Sequence, residues 1–95
     1  MTDEDILAIL KVDLQVSSAA LDTYLVTLIA SARAYITREG ITLAETRDDG
    51  MLVEMYAAYL YRQRRETNAQ MPRYLRWALN NRLFSQKGGG FGWMI

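Results

Sequence analysis

The sequence predicts an all-α fold: a compact bundle of about four helices with a flexible glycine-rich C-terminal tail. Two stretches carry that expectation. Leu21, Leu25, Leu28, Ile29, Ala32, Tyr35 and Ile36 recur at helical spacing and fall on one face. Between Met51 and Tyr61 nearly every residue is apolar, with Glu54 the only charge before Arg62. Length supplies the third observation, because 95 residues, 51% of them apolar, make one core and not two. Residues 1–85 are therefore expected to form a single helical domain and 86–95 its tail.

Thr2 followed by Asp3, Glu4 and Asp5 marks the first helix start, a capping hydroxyl with carboxylates that suit the helix dipole. Ile6, Leu7, Ile9 and Leu10 form its apolar side, the helix ending near Lys11, and Val12–Val16 reads as a connection. Ser17 or Ser18 is expected to cap the second and longest helix, with Thr23, Thr27, Ala30, Ala34 and Arg38 turned away from the core. Gly40 ends it, since glycine enters the left-handed conformation without a Cβ penalty. Ile41 and Leu43 should tuck the following loop onto the core.

Asp48 or Asp49 is expected to cap the third helix. Its inner face is Leu52, Met55, Tyr56, Tyr59 and Leu60, with Glu54, Tyr61 and Arg65 opposite. A helix so apolar around its circumference is either the buried centre of its fold or shares a second face with a neighbouring subunit. Thr67–Met71 breaks the pattern, and Pro72 suits the first turn of a fourth helix. That helix has two apolar edges: Leu75, Ala78 and Leu79 on one, Trp77 and Phe84 well round from them. From Gln86 the chain reads as a linker, Gly88-Gly89-Gly90, carrying Phe91, Trp93, Met94 and Ile95. Those apolar residues are expected either to fold back over the core or to dock into a partner.

The chain contains no histidine and no cysteine. It lacks the commonest neutral-pH base and the thiolates of metal and disulfide chemistry. No phosphate loop, nucleophile elbow or EF-hand spacing is present. No enzyme activity, cofactor or metal is expected. No apolar run approaches the roughly 20 residues of a membrane span, and the acidic start is unlike a secretory signal. A protein made in the cytoplasm follows.

Net charge is zero, yet residues 1–54 hold ten acids against four bases, and residues 55–95 hold seven bases against Glu66. Such asymmetry supplies complementary faces for head-to-tail assembly or a basic face for nucleic acid, unless the halves pair within one monomer.

Three segments taken together resemble a known family. Asp3-Glu4-Asp5-Ile6-Leu7-Ala8-Ile9-Leu10-Lys11-Val12-Asp13 is similar to the opening of small phage head–tail connector proteins. Leu21-Asp22 through Leu28-Ile29-Ala30-Ser31-Ala32-Arg33-Ala34-Tyr35-Ile36 resembles their long second helix. Ala58-Tyr59-Leu60-Tyr61-Arg62-Gln63-Arg64-Arg65-Glu66 resembles their third, and Met71-Pro72 with the helix reaching Arg82-Leu83 resembles their closing element. The likeness spans roughly residues 3–84 and rests on order and spacing.

The resemblance implies a structural adaptor of a tailed phage or prophage, made in the bacterial host and located at the head–tail junction of the virion. It implies a homo-oligomeric ring, typically about twelvefold, beneath the portal protein. DNA would pass through it without sequence-specific binding, and a tail-completion protein would bind its far side. Arg82–Ile95 would grip the portal, with Phe91, Trp93, Met94 and Ile95 as anchors. Tyr61, Arg62, Arg64, Arg65, Trp77 and Phe84 are the expected subunit-interface residues. The alternative is a small prophage DNA-binding regulator, with Arg62, Arg64, Arg65, Arg73 and Arg76 set to contact phosphates.

Overall fold

A computed structural model describes residues 1–66 and 70–88. Four α-helices are present among them: α1 (Asp3–Leu14), α2 (Asp22–Arg38), α3 (Arg47–Arg65) and α4 (Arg73–Gly88). A single 3-10 turn, Ala19–Leu21, leads into α2. The described residues contain no strand. The all-α expectation holds.

Helix ends follow local chemistry. Thr2 and Asp5 form a reciprocal capping box, each side chain bonding the other's backbone N–H at 3.1 Å. α1 runs to Leu14, three residues past Lys11, and stops where Gln15 adopts a left-handed φ of 58°. Ser18 caps the 3-10 turn through the Ala20 N–H rather than α2 itself. Gly40 ends the α2 region at φ +101°, as its composition requires.

Contacts within three helix pairs fix the topology of the bundle. Asp3 pairs with Arg33 and Lys11 with Asp22, both at 2.6 Å, so α1 and α2 run antiparallel. Tyr24 meets Tyr61 and Tyr35 stacks on Tyr56, so α2 and α3 are also antiparallel. α1 and α3 are then parallel, with Met1 packed on Gly50 at one end and Asp13 on Arg62 at the other. A Cβ on Gly50 would lie 2.5 Å from the Met1 sulfur, so a larger residue there would displace the Met1 side chain.

α3 sits at the centre, packed against α1, α2 and α4. Its midsection is enclosed from several sides: Leu52, Val53, Tyr56, Ala57 and Ala58 are all buried. The remaining core comes from Ile6 and Leu10 of α1, Leu25, Ile29, Ala32 and Ile36 of α2, and Leu75 and Leu79 of α4. Ile41 closes it from the loop, as expected, while Leu43 is half-buried.

Two expectations for α3 need correction. Its cap is Thr46, whose hydroxyl accepts from the Asp49 N–H at 3.2 Å, and not Asp48 or Asp49. Asp49 is drawn elsewhere, into an ion pair with Arg82. Glu54 does not face solvent; it is 2% exposed, because α1 packs over that side of α3 and brings Asp13 to it. α4 continues to Gly88, beyond the expected boundary at residue 85. Residues 67–69 and Phe91, Trp93, Met94 and Ile95 lie outside the described residues.

Candidate functional site

α4 divides its surface sharply. Leu75 and Leu79 are fully buried against the bundle, with Ala78 and Leu83 half-buried beside them. On the other side Tyr74, Trp77 and Phe84 are 55%, 68% and 53% exposed. With Asn81 between them, these positions follow steps of three and four residues, so they form one stripe along the helix. Tyr74 was not singled out from the sequence; the same spacing that links Trp77 to Phe84 includes it.

Polar clasps hold α4 in place. Arg82 donates Nε and Nη2 to the two oxygens of Asp49 at 2.7 and 3.0 Å, and Nη2 also reaches the Thr42 carbonyl at 2.8 Å. The Ala44 N–H completes the Asp49 shell at 2.7 Å. Burial pushes the Asp49 carboxyl up, but Arg82 and the Ala44 N–H outweigh it and hold the group below its ordinary range. Arg76 forks onto Glu39 with bonds of 3.0 and 2.8 Å. One turn past Arg82, the Gln86 amide donates to the Gly40 carbonyl and accepts from the Thr42 N–H.

The basic end of α3 is less open than its sequence implies. Arg62 reaches Asp13 at 3.4 Å. The Arg64 and Arg65 guanidinium groups lie over the rings of Tyr24 and Tyr61, 5.9 and 5.5 Å from the centroids. Arg65 also donates to the Tyr61 hydroxyl at 3.3 Å. Tyr61 is half-buried, and Arg64 and Arg65 are exposed and form no ion pair among the described residues.

Three ion pairs therefore join an acid of the first 54 residues to a base beyond them: Asp13–Arg62, Glu39–Arg76 and Asp49–Arg82. Much of the charge partition is internal pairing. The expected interface set splits accordingly: Arg62 serves the monomer, while Arg64, Arg65, Trp77 and Phe84 stand at the surface.

Beneath Arg62 lies a feature sequence reasoning missed. Glu54 is buried with its Oε2 unpartnered, and its pKa is raised to about 8. Burial is the main cause; the hydrogen bond and charge of Asp13 add to it, and Arg62 opposes. A lone acid in an apolar helix was the available signal.

Among the described residues no cluster of three or more acidic, histidine or cysteine side chains is placed to hold a metal ion. No helix among them is long and apolar enough to cross a membrane. In comparisons with known families, curated proteins and solved structures, the chain matches no family model, no curated protein and no solved structure.

Proposed function

We propose that the chain is a structural head–tail connector of a tailed phage or prophage, assembling as a ring beneath the portal through which DNA passes. The observation that carries this is the division of α4: one apolar face is used by the bundle, and an aromatic face of Tyr74, Trp77 and Phe84 remains outside it. A ring requires each subunit to present two different, mutually complementary surfaces. The aromatic stripe and the exposed Arg64 and Arg65 supply candidates of distinct chemistry. The likeness of residues 3–84 to the connector pattern supports the same assignment. Portal and tail-completion proteins are its proposed partners, with Phe91, Trp93, Met94 and Ile95 as portal anchors.

The DNA-binding alternative draws less support. Arg62 and Arg76 are held by Asp13 and Glu39, which removes two of its five phosphate ligands. The deciding experiment is solution mass by light scattering over a wide concentration range. A species near a dozen subunits is expected. A stable dimer that shifts duplex DNA in a salt-sensitive way overturns the connector assignment, and a monomer at every concentration overturns self-assembly.

A further inference from the structure

Glu54 is 2% exposed, and its Oε2 receives no hydrogen bond from any described residue. An ionised carboxylate there is costly, because neither water nor a donor offsets its charge. The polar group that meets it from α1 is another carboxyl, that of Asp13. Two carboxylates are both acceptors, so they bond to each other only if one carries a proton. Glu54 is the deeper of the two, whereas Asp13 is exposed and faces Arg62 at 3.4 Å. We propose that Glu54 and Asp13 share one proton, held on Glu54, and that this proton latches the last turn of α1 onto α3.

The groups acting on Glu54 are Asp13, as hydrogen-bond partner and charge, and Arg62, two turns on along its own helix. Arg65 and Glu66 line the groove that Asp13 and Arg62 share, and the nearest base of α1, Lys11, is engaged with Asp22 of α2. Burial and Asp13 raise the Glu54 pKa from 4.5 to about 8, so the folded state binds the proton more tightly than the unfolded chain does. The latch is closed in acid and opens as pH rises through about 8. The proton then passes to solvent, and two anions face each other with Arg62 beside them.

Neighbouring contacts bound what moves. Ile6 and Leu10 are fully buried, and Lys11 holds Asp22 at 2.6 Å, so α1 is anchored up to that residue. Val12 is exposed, and the helix stops at Leu14, where Gln15 turns left-handed. Residues 12–15 can therefore lift while the core stays packed. Leu14 is half-buried and lines an open groove with Tyr61, Arg62 and Arg65, so opening uncovers this end of α3. The latch does not depend on the connector assignment.

The test uses the full chain, which has no cysteine, carrying Leu14→Cys as a reporter. Its rate with 4,4′-dithiodipyridine at pH 7 and pH 9 is divided by that of the urea-unfolded chain at the same pH, which cancels thiol ionisation. Protection is expected to fall about tenfold between the two, and to stay constant when Glu54→Gln is added, because an amide donates to Asp13 at every pH. Leu83→Cys on α4, a second half-buried reporter, should show no such fall. Protection that is independent of pH, or that falls equally in the glutamine chain, overturns the proposal. An equal fall at Leu83→Cys makes the event global unfolding and overturns it too. Carbon-13 NMR of the unsubstituted chain reads the proton directly: the Glu54 carboxyl should titrate near 8, with the Asp13 resonance responding in the same step. A Glu54 carboxyl that titrates near 4.5 overturns the shared proton.

Discussion

Arg82 and Asp49 lie 33 residues apart and are joined by two hydrogen bonds, with the carboxylate 3% exposed and the guanidinium reaching on to the Thr42 carbonyl. One side chain thus ties α4 to both the start of α3 and the loop before it. Removing Arg82 leaves a buried anion uncompensated. Arg82→Ala is expected to cost about 3 kcal/mol in urea unfolding, since breaking a buried pair strands its partner. Arg73→Ala, an exposed arginine of the same helix, should fall within about 0.5 kcal/mol of the parent.

The pH dependence of that pair has a definite sign. The Asp49 pKa is lower in the folded state than its ordinary value of 3.8. Its contribution is therefore present above that value and lost as pH falls through the folded pKa. Asp49→Asn should flatten the acid limb of a stability–pH curve, and an unchanged limb would disprove the linkage.

Glu54 acts in the opposite direction. Its folded pKa is raised from 4.5 to about 8, so the folded state binds the extra proton. The associated stability is fully present below about 4.5 and declines as pH rises towards 8, by at most about 1.4 kcal/mol per pH unit. Glu54→Gln keeps a neutral hydrogen-bonding group and removes that decline. Urea midpoints at pH 5 and pH 9 should diverge in the parent through this group and converge in the variant, which is the more stable protein at pH 9.

The two faces of α4 predict opposite mutational outcomes. Leu79→Ala opens a cavity in the core and is expected to cost about 2–5 kcal/mol. Trp77→Ala, 68% exposed, should leave unfolding within about 0.5 kcal/mol and instead affect association. Thermal melts and light scattering on the pair separate fold from assembly.

Charge reversal at the basic end now has a narrower target. Reversing Arg62 would oppose Asp13 and damage the monomer. Arg64→Glu with Arg65→Glu leaves every ion pair of the described residues intact. Loss of the proposed ring with the helical fold retained is expected, at a modest cost in melting temperature from the lost contacts with Tyr24 and Tyr61; a ring of unaltered mass counts against these residues as contacts.

The helices, the Gly40 stop and the two edges of α4 could be read from the sequence because each is set by residues within a few turns of chain. Leu75 and Leu79 inside with Trp77 and Phe84 outside follows from spacing alone. What escaped was decided at long range. In Thr46-Arg47-Asp48-Asp49 either the hydroxyl or a carboxylate can cap a helix. The choice fell to Thr46 because Arg82, far along the chain, takes Asp49. Glu54 was placed on the wrong side because a helical wheel has one inside, whereas α3 has neighbours on several sides. The fork of Arg76 onto Glu39 left no local trace at all.

A buried acid also alters the protein's electrical identity. The formal charge of zero at pH 7 counts every carboxylate as ionised. With its pKa raised to about 8, Glu54 holds its proton into the neutral range in the folded state, so the folded chain is less negative there than composition implies and its isoelectric point shifts upward from 6.2. At neutral pH the folded form should therefore be displaced towards the cathode relative to the urea-unfolded form. In a chain with no histidine, the burial of one glutamate adds a titration near neutrality that no side chain would otherwise supply there.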